Sequence, residues 1–280
     1  MKKFGLIGHP ISHSLSPALF KAAYGGKYAY DLIEGEDFEK SYEKFINEYD
    51  AINVTAPFKE LAYAKADGVS DESKAVRAAN ILIKDYTKKV VFADNSDIAG
   101  VSGALQSAGL SSDNSKKALI VGCGGAAMAA AYSTWIDFGF DTVIINRNIE
   151  KARNFVKEFK EANGNHSSHI YAEGIERFEE LFCKADVVIY TLPVAIPALY
   201  NLRRSAIRGG GFWRRKRRKV ILEANYKDPA FTPEITEKMC RTNNKISFIS
   251  GKEWLLHQAV GAYEAFTGEA PNIAEMRKVL

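Results

Sequence analysis

The sequence predicts an α/β chain of two domains, on three observations. Its 280 residues amount to about two domains of ~150 residues, each with room for a real hydrophobic core. Short β-branched or apolar runs alternate with helical patterns, the signature of βαβ units and a mainly parallel sheet. The alternation halts at the polar stretch Ser111-Ser112-Asp113-Asn114-Ser115-Lys116-Lys117 and then restarts, which marks a boundary.

The elements follow in order. Residues 3–7 read as a strand, 17–24 as a helix, 28–33 as a strand and 38–49 as an amphipathic helix. A strand at 51–55, a helix at 59–66 and a hairpin of 81–85 with 89–93 come next, and 97–108 reads as a helix leaving this unit. Beyond the boundary lie a buried strand at 118–121, a helix at 126–138, a strand at 142–145, a helix at 151–161, and strands at 186–190 and 220–223. Helices at 253–266 and 273–279 close the chain, and there is no internal repeat.

Composition excludes several classes. With 46% hydrophobic and 26% charged residues, the chain is neither disordered nor fibrous. The longest apolar stretch, 187–200, contains Pro193 and Pro197 and falls short of the ~20 residues that cross a bilayer. The apolar start at 4–7 breaks at Gly8-His9-Pro10, too early for a secretory leader. A cytoplasmic protein is expected, with no membrane partner. Cys123, Cys183 and Cys240 are scattered and odd in number, so neither a disulfide framework nor a CxxC motif is available. His9, His13, His166, His169 and His257 form no helical zinc spacing, and no metal is expected.

A strand ending at Val121 runs into Gly122-Cys123-Gly124-Gly125-Ala126-Ala127 and an Ala-rich helix. This G-x-G-x-x-A pattern lies in the strand–turn–helix context that gives it meaning. Gly122 allows the tight turn, Gly124 lets the backbone approach a pyrophosphate, and the small Ala127 packs helix on strand, with the anion held at the helix N-terminus. A plain tight turn is the other reading. The next strand ends at Asn146-Arg147, where an NAD enzyme places an acid on the ribose. An Arg there suits the extra phosphate of NADP, because a guanidinium pairs bidentately with phosphate. Lys151, one turn further on, can assist. The competing reading of Arg147 is a solvated loop residue.

In the first unit, His13-Ser14-Leu15-Ser16-Pro17 offers Ser16 as an N-cap and Pro17 for the first helical position. Ser14 has no such structural explanation, and free amides at a helix start attract an anion. Lys59, in Asn53-Val54-Thr55-Ala56-Pro57-Phe58-Lys59-Glu60, opens a helix against the positive end of its dipole. That placement suits proton transfer if the side chain is desolvated, and an exposed Lys beside Glu60 is the alternative. Asp97, in Asp94-Asn95-Ser96-Asp97, also stands at a helix start, as an N-cap or as a partner of Lys59. If the two converge they form an acid/base pair at the mouth of a cleft between the units, facing a nicotinamide.

These segments, with Gly8 to Pro17 and Gly251-x-x-Trp254-Leu255-x-x-Gln258-Ala259, resemble shikimate dehydrogenases in order and spacing over essentially the whole chain. The resemblance implies a Rossmann-like, doubly wound NADP-binding domain at 101–250 and a discontinuous α/β substrate domain of 1–100 plus 251–280. It implies Ser14 and Ser16 on a substrate carboxylate, and Thr55, Asn80, Asp97 and Gln258 on ring hydroxyls. Lys59 is implied as the proton-transfer residue and Tyr226 as a substrate contact from the cofactor domain. Gly122, Gly124, Gly125, Ala126, Ala127, Asn146, Arg147, Lys151 and Gly251 are implied around NADP. The implied reaction is reversible reduction of 3-dehydroshikimate to shikimate by NADPH, a step of chorismate and aromatic amino-acid biosynthesis. Quinate or a related polyol acid is the alternative substrate, and a binding protein that has lost activity is the alternative class.

The chain departs from the family at several places. Ile81 stands for Thr, Ile98 for Gly and Trp254 for Met, Tyr190-Thr191-Leu192 replaces Asn-Ala-Thr, and Tyr226-Lys227-Asp228-Pro229 carries one residue more than Tyr-x-Pro. Residues 203–219 hold nine basic side chains and no acid, and the remaining 29 basic and 34 acidic residues leave the body of the protein mildly acidic. That segment, with Phe212 and Trp213, reads as an exposed loop, or as extra positive potential beside the NADP site. No nucleic-acid partner is expected, and the chain is expected to be a monomer or homodimer.

Overall fold

A computed structural model describes residues 2–164, 169–210 and 216–280. In chain order the elements begin β1 (Lys3–Gly8), α1 (Ser16–Tyr24), β2 (Ala29–Glu34), α2 (Phe38–Glu48), β3 (Ala51–Val54), α3 (Lys59–Lys65), β4 (Gly68–Val69) and α4 (Asp71–Val76). They continue with β5 (Ile81–Asp85), β6 (Val90–Asp94), α5 (Asp97–Ser107), β7 (Lys117–Val121), α6 (Gly125–Tyr132), β8 (Asp141–Asn146), α7 (Ile149–Ala162) and β9 (Ile170–Gly174). Then come α8 (Phe178–Lys184), β10 (Val187–Tyr190), α9 (Pro197–Tyr200), α10 (Arg204–Arg208), β11 (Lys219–Glu223), α11 (Pro233–Thr242), β12 (Ile246–Ile249), α12 (Gly251–Thr267) and α13 (Ile273–Val279). Among the described residues, no helix is long and apolar enough to cross a membrane.

The chain divides into one unit of Met1–Gly100 with Leu255–Leu280 and another of Val101–Trp254. The division falls inside α5, not at the polar stretch 111–117. Val101, Ala104 and Leu105 of α5 are already buried. The polar stretch is instead a turn into β7, in which the Asp113 carboxylate accepts from Ser115 N–H at 3.0 Å.

The first unit carries a sheet in the order β2-β1-β3-β5-β6-β4. β5 runs antiparallel to both its neighbours, and the other pairings are parallel. The period-2 alternation of strand side chains sorts its two faces. Phe4, Ala51 and Ile81 pack with Leu19 and Phe20 of α1 and with Leu256, Tyr263 and Phe266 of α12. Ile52, Val54 and Leu82 pack with Phe38 and Phe45 of α2 and Ala62 of α3. Phe4 stacks on Phe266 at 5.5 Å and Phe20 meets Tyr263 edge-on at 4.7 Å, pairs worth about 1 kcal/mol each beyond their buried area. These rings tie the C-terminal helix to an N-terminal sheet.

The second unit is a fully parallel sheet ordered β12-β11-β10-β7-β8-β9. Renumbered from β7, that is the 3-2-1-4-5-6 order of a Rossmann sheet, whose ligand crevice lies beyond the carboxyl ends of the strands at the switch point. Leu119, Val121, Val143, Ile145, Val188, Tyr190 and Ile221 line one face and bury Phe178 and Phe182 of α8 and Met239 of α11.

Two readings from sequence are corrected here. The helix expected to 138 is α-helical only to Tyr132 and ends in a π-helical turn, Ser133–Asp137. The Thr134 hydroxyl donates to the Ala130 carbonyl at 2.8 Å, a back-bond that competes with the regular ladder. The basic stretch is not a single exposed loop: α10 buries Ala206 and Ile207, and Lys219 is fully buried at the start of β11. Phe212, Trp213, Arg214 and Arg215, like His166, lie outside the described residues. The described end of the stretch does not flank the glycine turn, because Arg217 pairs with Asp186 at 2.5 Å, just before β10 and at the opposite edge of the sheet.

Lys219 supplies a stability prediction. Its Nζ donates to the carbonyls of Phe182, at 2.6 Å, and Ala185, closing the end of α8. Burial, with Arg217 beside it, pushes the ammonium down to about 7. The unfolded chain therefore binds this proton between pH 7 and about 10.5 while the folded one does not, so stability from this group rises with pH across that window. Lys219→Met is expected to flatten the rise. Relative to the variant, urea unfolding of the natural chain should gain about 2 kcal/mol between pH 6.5 and 9.

Candidate active site

Register places the polar residues of the first unit along one sheet edge. Ile7 pairs with Val54, Asn53 with Ile81, and Ile81 with Asp94. The segments just beyond those ends, 9–15, 55–58 and 95–97, together with Asn80 just before β5, therefore share that edge. His9 N–H donating to the Ala56 carbonyl at 3.2 Å joins the first two.

Lys59 and Asp97 converge there. Lys59 Nζ donates to Asp97 Oδ2 at 2.5 Å, with the lysine side chain 25% exposed and the carboxylate 7%. The carboxylate does not cap α5. Its Oδ1 accepts from Asn80 Nδ2 at 2.9 Å, and the Asp97 N–H donates to Asn95 Oδ1 at 2.9 Å. Asn80 is itself locked: it donates to Ser96 Oγ at 3.1 Å and accepts from Ser96 N–H at 2.9 Å. A carboxylate so held is a fixed counter-charge, and the lysine beside it stays partly exposed. Asn95 and Ser96 escape a sequence reading as functional residues, although they stand in the same Asp-Asn-Ser-Asp run. Only the fold shows that they orient Asp97.

The expected cap of α1 is corrected. Ser16 is the first helical residue, the cap position is Leu15 with no side-chain bond, and Pro17 sits in the first turn. The capping role passes to Ser14, whose Oγ accepts from Ser16 N–H at 3.2 Å and donates to Ser16 Oγ at 3.1 Å. Ser16 Oγ, accepting from Ser14 and neighbouring the Tyr30 and Tyr263 phenols, thus stands at a helix start whose unsatisfied amides attract an anion. Tyr263 supports the turn from below, its hydroxyl donating to the Ser16 carbonyl at 3.1 Å. Thr55, just past β3, and Gln258, in α12, keep side-chain polar groups without a partner among the described residues.

In the second unit, Val121, Ile145, Tyr190 and Glu223 are level across the sheet. The glycine turn, the turn after β8 and the loop after β10 consequently open at one edge. They enclose a cleft of about 390 Å³ lined by Gly122, Gly124, Asn146, Arg147 and Lys151 on one side and by Thr191, Leu192 and Pro193 on the other. Gly122 has φ +114, and a Cβ there would lie 2.4 Å from Thr191 Oγ1. A Cβ at Gly124 or Gly125 would meet nothing within 4 Å, which leaves open space over the start of α6. Ala127 is fully buried against the strand, and Ala126 stands beside it in the first turn. Arg147 and Lys151 are exposed and have no acidic partner among the described residues, since the nearby Glu150 is taken by Arg153 at 2.5 Å.

This donor set fits a dinucleotide phosphate: open backbone over a helix start and two uncommitted cations. Cys123 joins the lining, its thiol pushed up by burial and drawn back by Lys151. Gly251 does not line the cleft. A Cβ there would lie 2.3 Å from the Ala224 carbonyl oxygen, so its glycine serves the close passage of α12 over the end of β11. Tyr226 lies half-buried beyond β11, with burial pushing its phenol up.

A Rossmann sheet whose crevice carries groups that fit a phosphate, in a chain that also holds a Lys–Asp pair at a sheet edge, defines a nicotinamide-dinucleotide-dependent oxidoreductase. A family model described as the shikimate dehydrogenase substrate binding domain matches residues 6–82, and a shikimate dehydrogenase (NADP(+)) of Archaeoglobus fulgidus is 30% identical over 99% of this chain and 97% of its own length. The chain belongs to the shikimate dehydrogenase family. It is also 31% identical to the pentafunctional AROM polypeptide of Kluyveromyces lactis, over 96% of the chain, and spans 17% of that polypeptide. The crystal structure of Mycobacterium tuberculosis shikimate dehydrogenase is similar throughout, with a TM-score of 0.80 at 28% identity over 100% of both chains.

Proposed function

We propose that this chain catalyses the reversible reduction of 3-dehydroshikimate to shikimate by NADPH, with Met1–Gly100 and Leu255–Leu280 as the substrate unit and Val101–Trp254 as the NADP unit. The observation that carries this reading is the Lys59–Asp97 pair, held at 2.5 Å on an edge that also presents Ser14 and Ser16. Bound NADPH supplies the hydride.

Lys59 gives its proton to the carbonyl oxygen as negative charge develops there, and takes it back in the oxidative direction. Asp97 and Asn80 keep the lysine aimed, so no reorganisation accompanies the transfer. Ser16 Oγ and the amides at the start of α1 hold the substrate carboxylate, with Ser14 orienting Ser16. Thr55 and Gln258 hold ring hydroxyls with their uncommitted groups, and the protonated Tyr226 phenol donates to the substrate. Arg147 and Lys151 hold the 2′-phosphate of NADP, and the amides of Gly124, Gly125 and Ala126 hold the pyrophosphate.

Initial rates with shikimate or quinate, each with NADP or NAD, test the reading. Strong preference for shikimate with NADP is expected. Preference for quinate or for NAD would replace that half of the assignment. Activity in no combination from folded protein would overturn the enzymatic reading as a whole.

A further inference from the structure

Tyr190 closes β10, and its environment gives it a task in the loop that follows. The side chain is fully buried on the core face of the second sheet. Its hydroxyl donates to the Val194 carbonyl at 2.8 Å and accepts from Ile196 N–H at 2.9 Å. Both bonds close the loop 191–196, whose first three residues form one wall of the dinucleotide cleft.

That loop is held at two more points. Thr191 Oγ1 donates to the Val121 carbonyl at 2.9 Å, which fixes it against the glycine turn. Asn225 Nδ2 donates to the Pro193 carbonyl at 3.3 Å and to the Asp228 carbonyl at 2.8 Å. The Tyr190 ring is seated in turn by Phe231, edge-on at 5.5 Å, and Phe231 N–H is anchored on the Glu223 carboxylate at 3.1 Å.

We infer that Tyr190 and Asn225 are positioning residues for the cofactor: together they fix loop 191–196 as a rigid wall of the NADP cleft. The inference rests on the proposed NADP dependence. Removing the Tyr190 hydroxyl leaves the buried Ile196 N–H without its acceptor and frees the Val194 carbonyl to water, and a buried donor is costly to leave unsatisfied. The loop then opens toward water, and a preformed wall becomes one that the cofactor must order when it binds.

Calorimetric titration of NADP into the natural chain, Tyr190→Phe, Asn225→Ala and a control, Thr142→Val, tests this. Thr142→Val removes a buried hydroxyl from the same unit, one that donates to Thr134 Oγ1 at 3.1 Å and not to the loop. Tyr190→Phe is expected to weaken NADP binding about tenfold and to raise its KM in parallel, with the shikimate KM unchanged. Asn225→Ala, at a less buried site, reads the same loop should Tyr190→Phe not fold, with an expected loss of about threefold. Unchanged NADP affinity in whichever of these variants folds, or an equal loss in Thr142→Val, overturns the positioning role. No NADP binding by the natural chain overturns the cofactor reading and the inference with it.

Discussion

Lys59→Ala is expected to lower kcat for shikimate oxidation by about a thousandfold, within the range that a positioned general acid or base contributes, while NADP affinity stays within about twofold. The lysine, on the polar edge of the first unit, combines a transferable proton with a fixed counter-charge 2.5 Å away. Alanine removes the proton and leaves the Asp97 carboxylate, 7% exposed, without its cation. Some loss of stability follows, because an uncompensated charge remains near the interior. Asn80 still donates to the carboxylate, and the Asp97 backbone N–H keeps its bond to Asn95, so the variant is expected to fold. Steady-state rates at saturating NADP and shikimate, beside calorimetric binding of each ligand, separate the effects. A kcat within about tenfold of the natural enzyme, with both ligands still bound, would reduce Lys59 to a structural ion pair.

The pairing of Lys59 with Asp97 is open to sequence reasoning only as a conditional. Each residue is visible at a helix start, but 38 positions of chain separate them, and the antiparallel β5–β6 hairpin that brings them together acts through register, not through local pattern. The glycine turn is legible because every residue of it does local work: Gly122 a left-handed φ, Ala127 a buried contact. The serines, by contrast, exchange roles between sequence and structure. Both can cap a helix, and the choice between Ser14 and Ser16 depends on where α1 begins to within a residue or two, the least legible property of a helix.

Elements of the second unit escape a sequence reading for a similar reason. α11 announces itself with a Thr232 cap and Pro233 in its first turn, signals present in the sequence but set among short runs of ambiguous period. β12 alternates over only four residues. Tyr190 reads in the sequence only as a departure from the family's Asn-Ala-Thr, because a single sequence cannot show that its hydroxyl turns inward and closes the loop that follows it.

Replacing both Arg147 and Lys151 by Ala is expected to raise the KM for NADP about a hundredfold and to leave that for NAD within about twofold. Charge-assisted hydrogen bonds to phosphate are worth about 1.5–3 kcal/mol each. Both side chains are exposed, so screening places each toward the low end and together they give roughly two decades. The effect falls on NADP alone, because the open backbone over Gly124 and Gly125 serves a pyrophosphate common to both cofactors. Salt supplies an independent check. Exposed cations are screened, so the KM of the natural chain for NADP should climb with ionic strength more steeply than that for NAD, and the double variant should lose the difference. If the two cofactors respond alike to the substitutions, Arg147 is a solvated loop residue and discrimination lies elsewhere in the cleft. If NADP alone weakens, Arg147 and Lys151, standing after β8 where an NAD enzyme of this fold places an acid, are what select the phosphorylated cofactor in this chain.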